Sequence, residues 1–206
     1  MIDPALPFAP LPGTVAAPRG LFVKRWGTLL QIPEHGFART PGEVVFSEGA
    51  LDALFRASRR GWRIYLIGNE EAVFDGRLSL RLWEDVEAAI LDRLASRGVV
   101  VGNSYPCVLH PEGVPEQRGD SVYLLPNTGP FYHASHHHGV DLPRSWVVGD
   151  ATPELVAGWR SGCRLAGVRT GRALGDKTFD VEPEYVGENL RAVVHLLLTG
   201  AEAFSS

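Results

Sequence analysis

Cysteine and methionine are the scarcest informative residues in this chain, two and one respectively among 206. Cys107 and Cys163 lie far apart in different local contexts, which excludes a disulfide scaffold and fits a reducing compartment. No apolar run approaches the roughly 20 residues of a membrane span, and the N-terminus lacks the charged-then-apolar order of a secretory leader. The reading is a cytoplasmic protein with no membrane partner. Basic residues are also short: 20 Lys and Arg against 24 Asp and Glu leave a net charge of -4, with no basic block. Nucleic acid needs a concentrated Lys/Arg surface to meet its phosphates, so none is expected as a partner.

What is present suits one packed domain. Hydrophobic residues make up 45% of the chain and charged residues 21%, enough apolar material to bury a core. Pro4, Pro7, Pro10, Pro12 and Pro18 fall in the first 19 residues. Proline fixes φ and removes a donor, so residues 1–19 are expected as an extended arm and residues 20–206 as a single domain.

From Gly20 strands and helices alternate. Leu21-Phe22-Val23, Trp62 to Ile67, Val99 to Val101, Trp146 to Val148 and Cys163 to Val168 are short apolar runs bounded by turn residues, hence buried strands. Between them, Ser47 to Arg60 reads as a helix capped by Ser47 and ended by Gly61. Ser79 to Arg97 carries Leu82, Val86, Ala89, Ile90 and Leu94 on one stripe. Asn103 to Thr128 reads mainly as loop, and Pro130 to His138, Pro153 to Ser161 and Val186 to Leu198 as helices. The pattern is α/β: a three-layer, Rossmann-like parallel sheet with helices on both faces and a minimal cap or none. Ligands in such sheets bind beyond the carboxyl ends of the strands, which here means Lys24 to Thr28, Gly68 to Glu70, Gly102 to Ser104 and Gly149 to Glu154.

Read together, those ends resemble the haloacid dehalogenase superfamily, and within it the histidinol-phosphatase and heptose-bisphosphate phosphatase group. Phe22-Val23-Lys24-Arg25-Trp26-Gly27-Thr28-Leu29-Leu30 is similar to the family's Phe-Leu-Asp-Arg-Asp-Gly-Thr-Leu motif. Ile64 to Glu70 is similar to its strand ending in Thr-Asn-Gln, Leu124-Leu125-Pro126 to its Arg-Lys-Pro, and Val147-Val148-Gly149-Asp150 with Glu154 and Gly158 to its Val-Gly-Asp and downstream Asp-x-x-x-Gly.

The resemblance implies a phosphoryl-transfer site whose chemistry has been exchanged. Lys24 stands where it implies a carboxylate nucleophile, and a protonated ammonium neither attacks phosphorus nor binds Mg²⁺. Trp26 stands for the acid/base carboxylate and cannot shuttle a proton. Gly68 stands for the phosphate-holding hydroxyl, and Leu125 for the charge-balancing lysine. Asp150 is retained, with Glu154 a longer replacement for its partner. Lys24 is expected beside Asp150 and Glu154, substituting an internal salt bridge for the ion. Arg25, Thr28 and Asn69 remain as cleft-binding candidates. No cofactor is expected; Mg²⁺, at Asp150 and Glu154, belongs only to a chain that keeps activity. The expected function is therefore a catalytically inactive phosphatase-like protein with a binding, regulatory or scaffolding role, its partner a protein or a second copy and its small-molecule ligand unidentified. The alternative is a phosphatase on a small phosphorylated sugar or similar metabolite, with a divergent site.

Two further clusters were weighed. The zinc loop that the resemblance implies is reduced to Cys107 and His110, with Leu109, Ser121 and Tyr123 at the other places, so zinc is not expected there. His133, His136, His137 and His138 invite a metal reading because His133 and His137 stand i, i+4 on a helix, but their place near its C-terminus, before Gly139, makes the helix dipole the preferred reason for them.

Overall fold

The computed structural model describes residues 16–200, so residues 1–15 of the expected arm lie outside the described residues. Six strands form one sheet in the order β3-β2-β1-β4-β5-β6, every adjacent pair parallel. They are β1 (Arg19–Lys24), β2 (Trp62–Asn69), β3 (Val101–Cys107), β4 (Trp146–Gly149), β5 (Arg164–Val168) and β6 (Tyr185–Gly187). The intervening helices are α1 (Ala50–Arg59), α2 (Glu71–Phe74), α3 (Leu80–Ser96), α4 (Gly129–His138), α5 (Thr152–Arg160) and α6 (Leu190–Thr199).

The sheet separates two cores because successive strand residues point to opposite faces. Leu21, Val23, Ile64, Leu66 and Val148 pack under α1, α3 and α6. Phe22, Tyr65, Ile67 and Val147 pack under α4 and α5, where Phe22 stacks on Tyr65 at 4.9 Å between ring centroids. Strands buried on both faces are near-continuous apolar runs, as β1, β2 and β4 are. Among the described residues no helix is long and apolar enough to cross a membrane.

Four local expectations need correction. Residues 103–107, expected as loop, complete β3 in register with β2, from Tyr65↔Asn103 to Asn69↔Cys107. The strand stands at the sheet edge, where Pro106 removes no ladder bond, and Tyr105 and Cys107 are buried on it. The closing helix does not begin at Val186: Tyr185–Gly187 pair with β5, and α6 starts after Asn189, whose side chain accepts from the Ala192 N–H at 3.0 Å. Ser47 does not cap α1; Gly49, in the left-handed region at φ 68°, precedes it. On α3, Ser79 does cap, but Leu82 is exposed and Trp83 takes the buried place.

Candidate functional site

β1, β2 and β4 lie side by side, so the residues just past their carboxyl ends converge on one cleft. Its volume is about 270 Å³, and its walls include Lys24, Trp26, Asn69, Glu70, Leu125, Asp150, Glu154 and Arg172.

Lys24 Nζ lies 3.1 Å from Asp150 Oδ1 and 3.5 Å from Glu154 Oε1. Burial works against the ammonium charge, yet the two carboxylates outweigh it and raise the Lys24 pKa. Glu154 is raised as well, by burial and by the Asp150 charge, with Lys24 opposing both. Asp150 has little left to offer: Thr28 Oγ1 donates to Oδ1 at 3.3 Å, and the Arg172 N–H donates to Oδ2 at 2.8 Å. Glu154 Oε1 also accepts from the Ala151 N–H at 2.7 Å, closing the first turn of α5.

The chain around Asp150 is shaped to this contact. Gly27 has φ 88° in the turn after β1, and a Cβ added there would lie 2.1 Å from Asp150 Oδ2. Gly171, at φ 60°, lies against Gly27, its added Cβ 2.2 Å from the same oxygen and 2.6 Å from the Gly27 Cα. Leu174 N–H donates to the Asp150 carbonyl at 2.7 Å and Thr170 Oγ1 to the Gly27 carbonyl at 2.6 Å. The segment after β5 is thereby strapped across the cleft floor.

Beside the Lys24 group lies a second, deeper set of charges. Arg25 is fully buried; Nη1 donates to Glu70 Oε1 at 2.5 Å and Nη2 to Ser104 Oγ at 2.9 Å. Arg25 Nε faces Glu87 Oε2 at 3.3 Å as an ion pair without hydrogen-bond alignment, and Ser104 Oγ donates to the other Glu87 oxygen. Trp26 Nε1 donates to Glu70 Oε2 at 3.1 Å. Burial, joined by the Glu87 charge, pushes Glu70 up to about 7 against the pull of Arg25.

The geometry thus unites Lys24, Asp150 and Glu154 as the sequence implied. It reassigns the three cleft-binding candidates. Arg25 and Thr28 are fully enclosed, committed to Glu70 and Asp150. Asn69 touches the cleft, and its amide is oriented by the Leu125 backbone: Nδ2 donates to the Leu125 carbonyl at 3.0 Å and Oδ1 accepts from the Leu125 N–H at 2.8 Å. Gly68 leaves room for Arg25, since a Cβ there would lie 3.2 Å from Nη1. Leu125 is buried in the core under α4 and α5. Cys107 and His110 part company, Cys107 Sγ donating to the Leu109 carbonyl at 3.2 Å and His110 stacking on Phe74 at 4.8 Å.

Sequence reasoning missed Glu87 as a partner of Arg25. The signal was its place on α3, four residues after buried Trp83 and three before buried Ile90, since an acid on a buried face needs a cation.

Mg²⁺, which the family resemblance implies, prefers a near-octahedral shell of oxygens. The residues here do not fit it: the two carboxylates that could hold the ion already share an ammonium, and a third acid is replaced by that ammonium's own side chain.

No family model matches the chain. It is 28% identical over 164 residues to a D-glycero-beta-D-manno-heptose-1,7-bisphosphate 7-phosphatase of Mesorhizobium japonicum, covering 79% of this chain and 75% of that one. A D-glycero-D-manno-heptose-1,7-bisphosphate 7-phosphatase of Thermosynechococcus vestitus is 28% identical over 190 residues, 87% of this chain and 95% of its own. Among solved structures, a D,D-heptose 1,7-bisphosphate phosphatase from B. bronchiseptica, complexed with magnesium and phosphate, superposes with a TM-score of 0.77 at 24% identity, over 88% of this chain and 99% of that one. A HAD-like phosphatase from Mesorhizobium loti gives 0.73 at 25% identity, over 90% and 86%.

Proposed function

We propose that this chain, a member of the haloacid dehalogenase superfamily similar to the heptose-bisphosphate 7-phosphatases, is a non-catalytic binding or regulatory protein built on that phosphatase frame. The observation that carries the reading is Lys24 Nζ seated between Asp150 and Glu154 at 3.1 and 3.5 Å. A phosphoryl acceptor must bear a free electron pair, and the raised pKa of Lys24 keeps its nitrogen protonated. The acid/base place is filled by an indole that donates to Glu70. No hydroxyl or ammonium stands at Gly68 or Leu125 to take a phosphate, and the cleft's central cation is already neutralised by two carboxylates. What the frame retains is a walled cleft and a rigid sheet, which suit recognition of a small molecule, a protein partner or a second copy of the chain.

A second reading is favoured by a different observation: the curated relatives reported above are named phosphatases. On that reading the chain hydrolyses a small phosphorylated sugar with a divergent site that retains Asp150. Turnover assays decide between them. D-glycero-D-manno-heptose 1,7-bisphosphate and a generic aryl phosphate are supplied with Mg²⁺ to the wild-type chain and to Asp150→Asn. The expected result is no phosphate release above a protein-free control from either protein. Release by the wild type that Asp150→Asn abolishes would establish the second reading and remove the first. The quadruple variant Lys24→Asp, Trp26→Asp, Gly68→Thr, Leu125→Lys, run in parallel, reports whether the rest of the cleft still accepts these substrates.

A further inference from the structure

We infer that α4 carries a two-histidine chelate for a divalent transition ion such as Zn²⁺ or Ni²⁺, built from His133 and His137 and lying outside the cleft. The two residues are one helical turn apart, the spacing that puts side chains on a common face. Their ring centroids are 4.3 Å apart with the planes tilted by 57°, so the two rings lie in contact on one face of the helix.

The support behind the first ring resembles that of a metal ligand. His133 Nδ1 is hydrogen-bonded to the Tyr123 hydroxyl at 2.6 Å, which fixes the ring and leaves Nε2 as the nitrogen free for an ion. A histidine held at one nitrogen by an oxygen partner is oriented for ligation through the other. Tyr123 is anchored in turn, its ring stacked on Tyr105 at 5.6 Å, and Tyr105 is stacked on Tyr65 of the sheet at 6.2 Å. His137 makes no hydrogen bond to a described residue and is exposed, so its ring is free to turn toward a shared ion. Burial lowers the His133 pKa, and the charges of His137, His138 and His136 add to it.

The neighbouring histidines are placed differently. His138 Nδ1 is hydrogen-bonded to the Tyr65 hydroxyl at 3.0 Å and its ring stacks on Tyr65 at 5.6 Å, which commits it to the core. His136 meets His137 edge-on at 5.0 Å. Among the described residues no third Cys, His, Asp or Glu completes a closed cage, so water takes the remaining positions. Imidazole pairs of this kind select zinc, nickel or copper over magnesium and calcium, which prefer oxygen.

The test titrates ZnCl₂ and NiCl₂ into the full chain, purified without a histidine tag, by calorimetry and by thermal unfolding. One equivalent per chain is expected, with an unfolding temperature that rises with metal concentration. His137→Ala, an exposed substitution that leaves the fold intact by circular dichroism, should weaken binding at least about tenfold. Tyr123→Phe removes the orienting hydroxyl and should weaken it by roughly 10-fold or more. His136→Ala and His138→Ala should leave the affinity within a factor of about three, since neither belongs to the pair. Absence of saturable binding, full affinity in His137→Ala, or an equal loss in His136→Ala overturns the assignment.

Discussion

Lys24 and Asp150 come from neighbouring strand ends and meet at 3.1 Å, with the Asp150 side chain wholly out of solvent and that of Lys24 15% exposed. Removing the ammonium leaves two buried carboxylates, Asp150 and Glu154, facing each other without a cation. Breaking a buried pair from one side costs about 3–5 kcal/mol, whereas replacing all partners by neutral groups of similar shape costs far less. Lys24→Met should therefore be strongly destabilised in urea unfolding, and the triple variant Lys24→Met, Asp150→Asn, Glu154→Gln should recover much of the loss. Equal stability of Lys24→Met and wild type would sink the salt-bridge account.

The deeper charge group sets a pH dependence of opposite sense to ordinary acid unfolding. Glu70 is raised from 4.5 to about 7, so across that window the folded chain holds a proton the unfolded chain has released. Stability from this group is complete below 4.5 and declines as pH rises, by up to about 1.4 kcal/mol per unit. Urea midpoints at pH 5, 6 and 7 should fall in that order, and Glu70→Gln should flatten the trend.

Gly27 and Gly61 offer a matched pair for the space around Asp150. Both have positive φ, 88° and 80°, but an added Cβ meets Asp150 at 2.1 Å at Gly27 and nothing within 4 Å at Gly61. Gly61→Ala should lose only the backbone term of about 1–2 kcal/mol. Gly27→Ala should lose a further 1–3 kcal/mol or so from overpacking. Similar losses at the two sites would show that the turn, not the carboxylate, dictates glycine at Gly27.

Much of this site was legible because Lys24, Trp26, Gly68 and Asp150 sit at or just past strand ends, which parallel topology brings together, while Leu125 and Glu154 were placed by the family resemblance. The charge of Lys24 against two acids then implied their contact. Partners carried by helices and edge strands were not legible. Glu87 and Ser104 reach Arg25 through the docking of α3 and β3 on the sheet; the spacing of Glu87 from Trp83 and Ile90 marks an acid on a buried face but does not name the cation it meets. The end of β3 was hidden by Pro106, a residue that marks loops except at an edge. The sixth strand, at Tyr185–Gly187, is too short to carry a period.

The first turn of α5 is closed twice, by Glu154 from within the helix and by Asp176 from outside it. Asp176 accepts from the Thr152 N–H at 3.0 Å and from its hydroxyl at 2.5 Å. Partial burial would raise this carboxylate, but the bonds from Thr152 and Thr178 prevail and hold it below its ordinary 3.8. Its contribution is present above that value and lost as pH falls through the depressed one. Asp176→Ala should cost about 0.5–2 kcal/mol at pH 7, with the difference from wild type shrinking in strong acid. A constant difference down to pH 2 would assign the loss to packing instead.

The two glycines pressed against Asp150 also bear on what a carboxylate at position 24 would meet. Returning Lys24 to an aspartate, taken alone, would place three carboxylates in a pocket that Gly27, Gly171 and the Arg172 N–H already close around one of them. Each such intermediate would be less stable than its parent until a metal ion arrived to hold the acids together. The present lysine thus ties the fold to its own ammonium, because a carboxylate placed at this position alone would leave three acids without a cation.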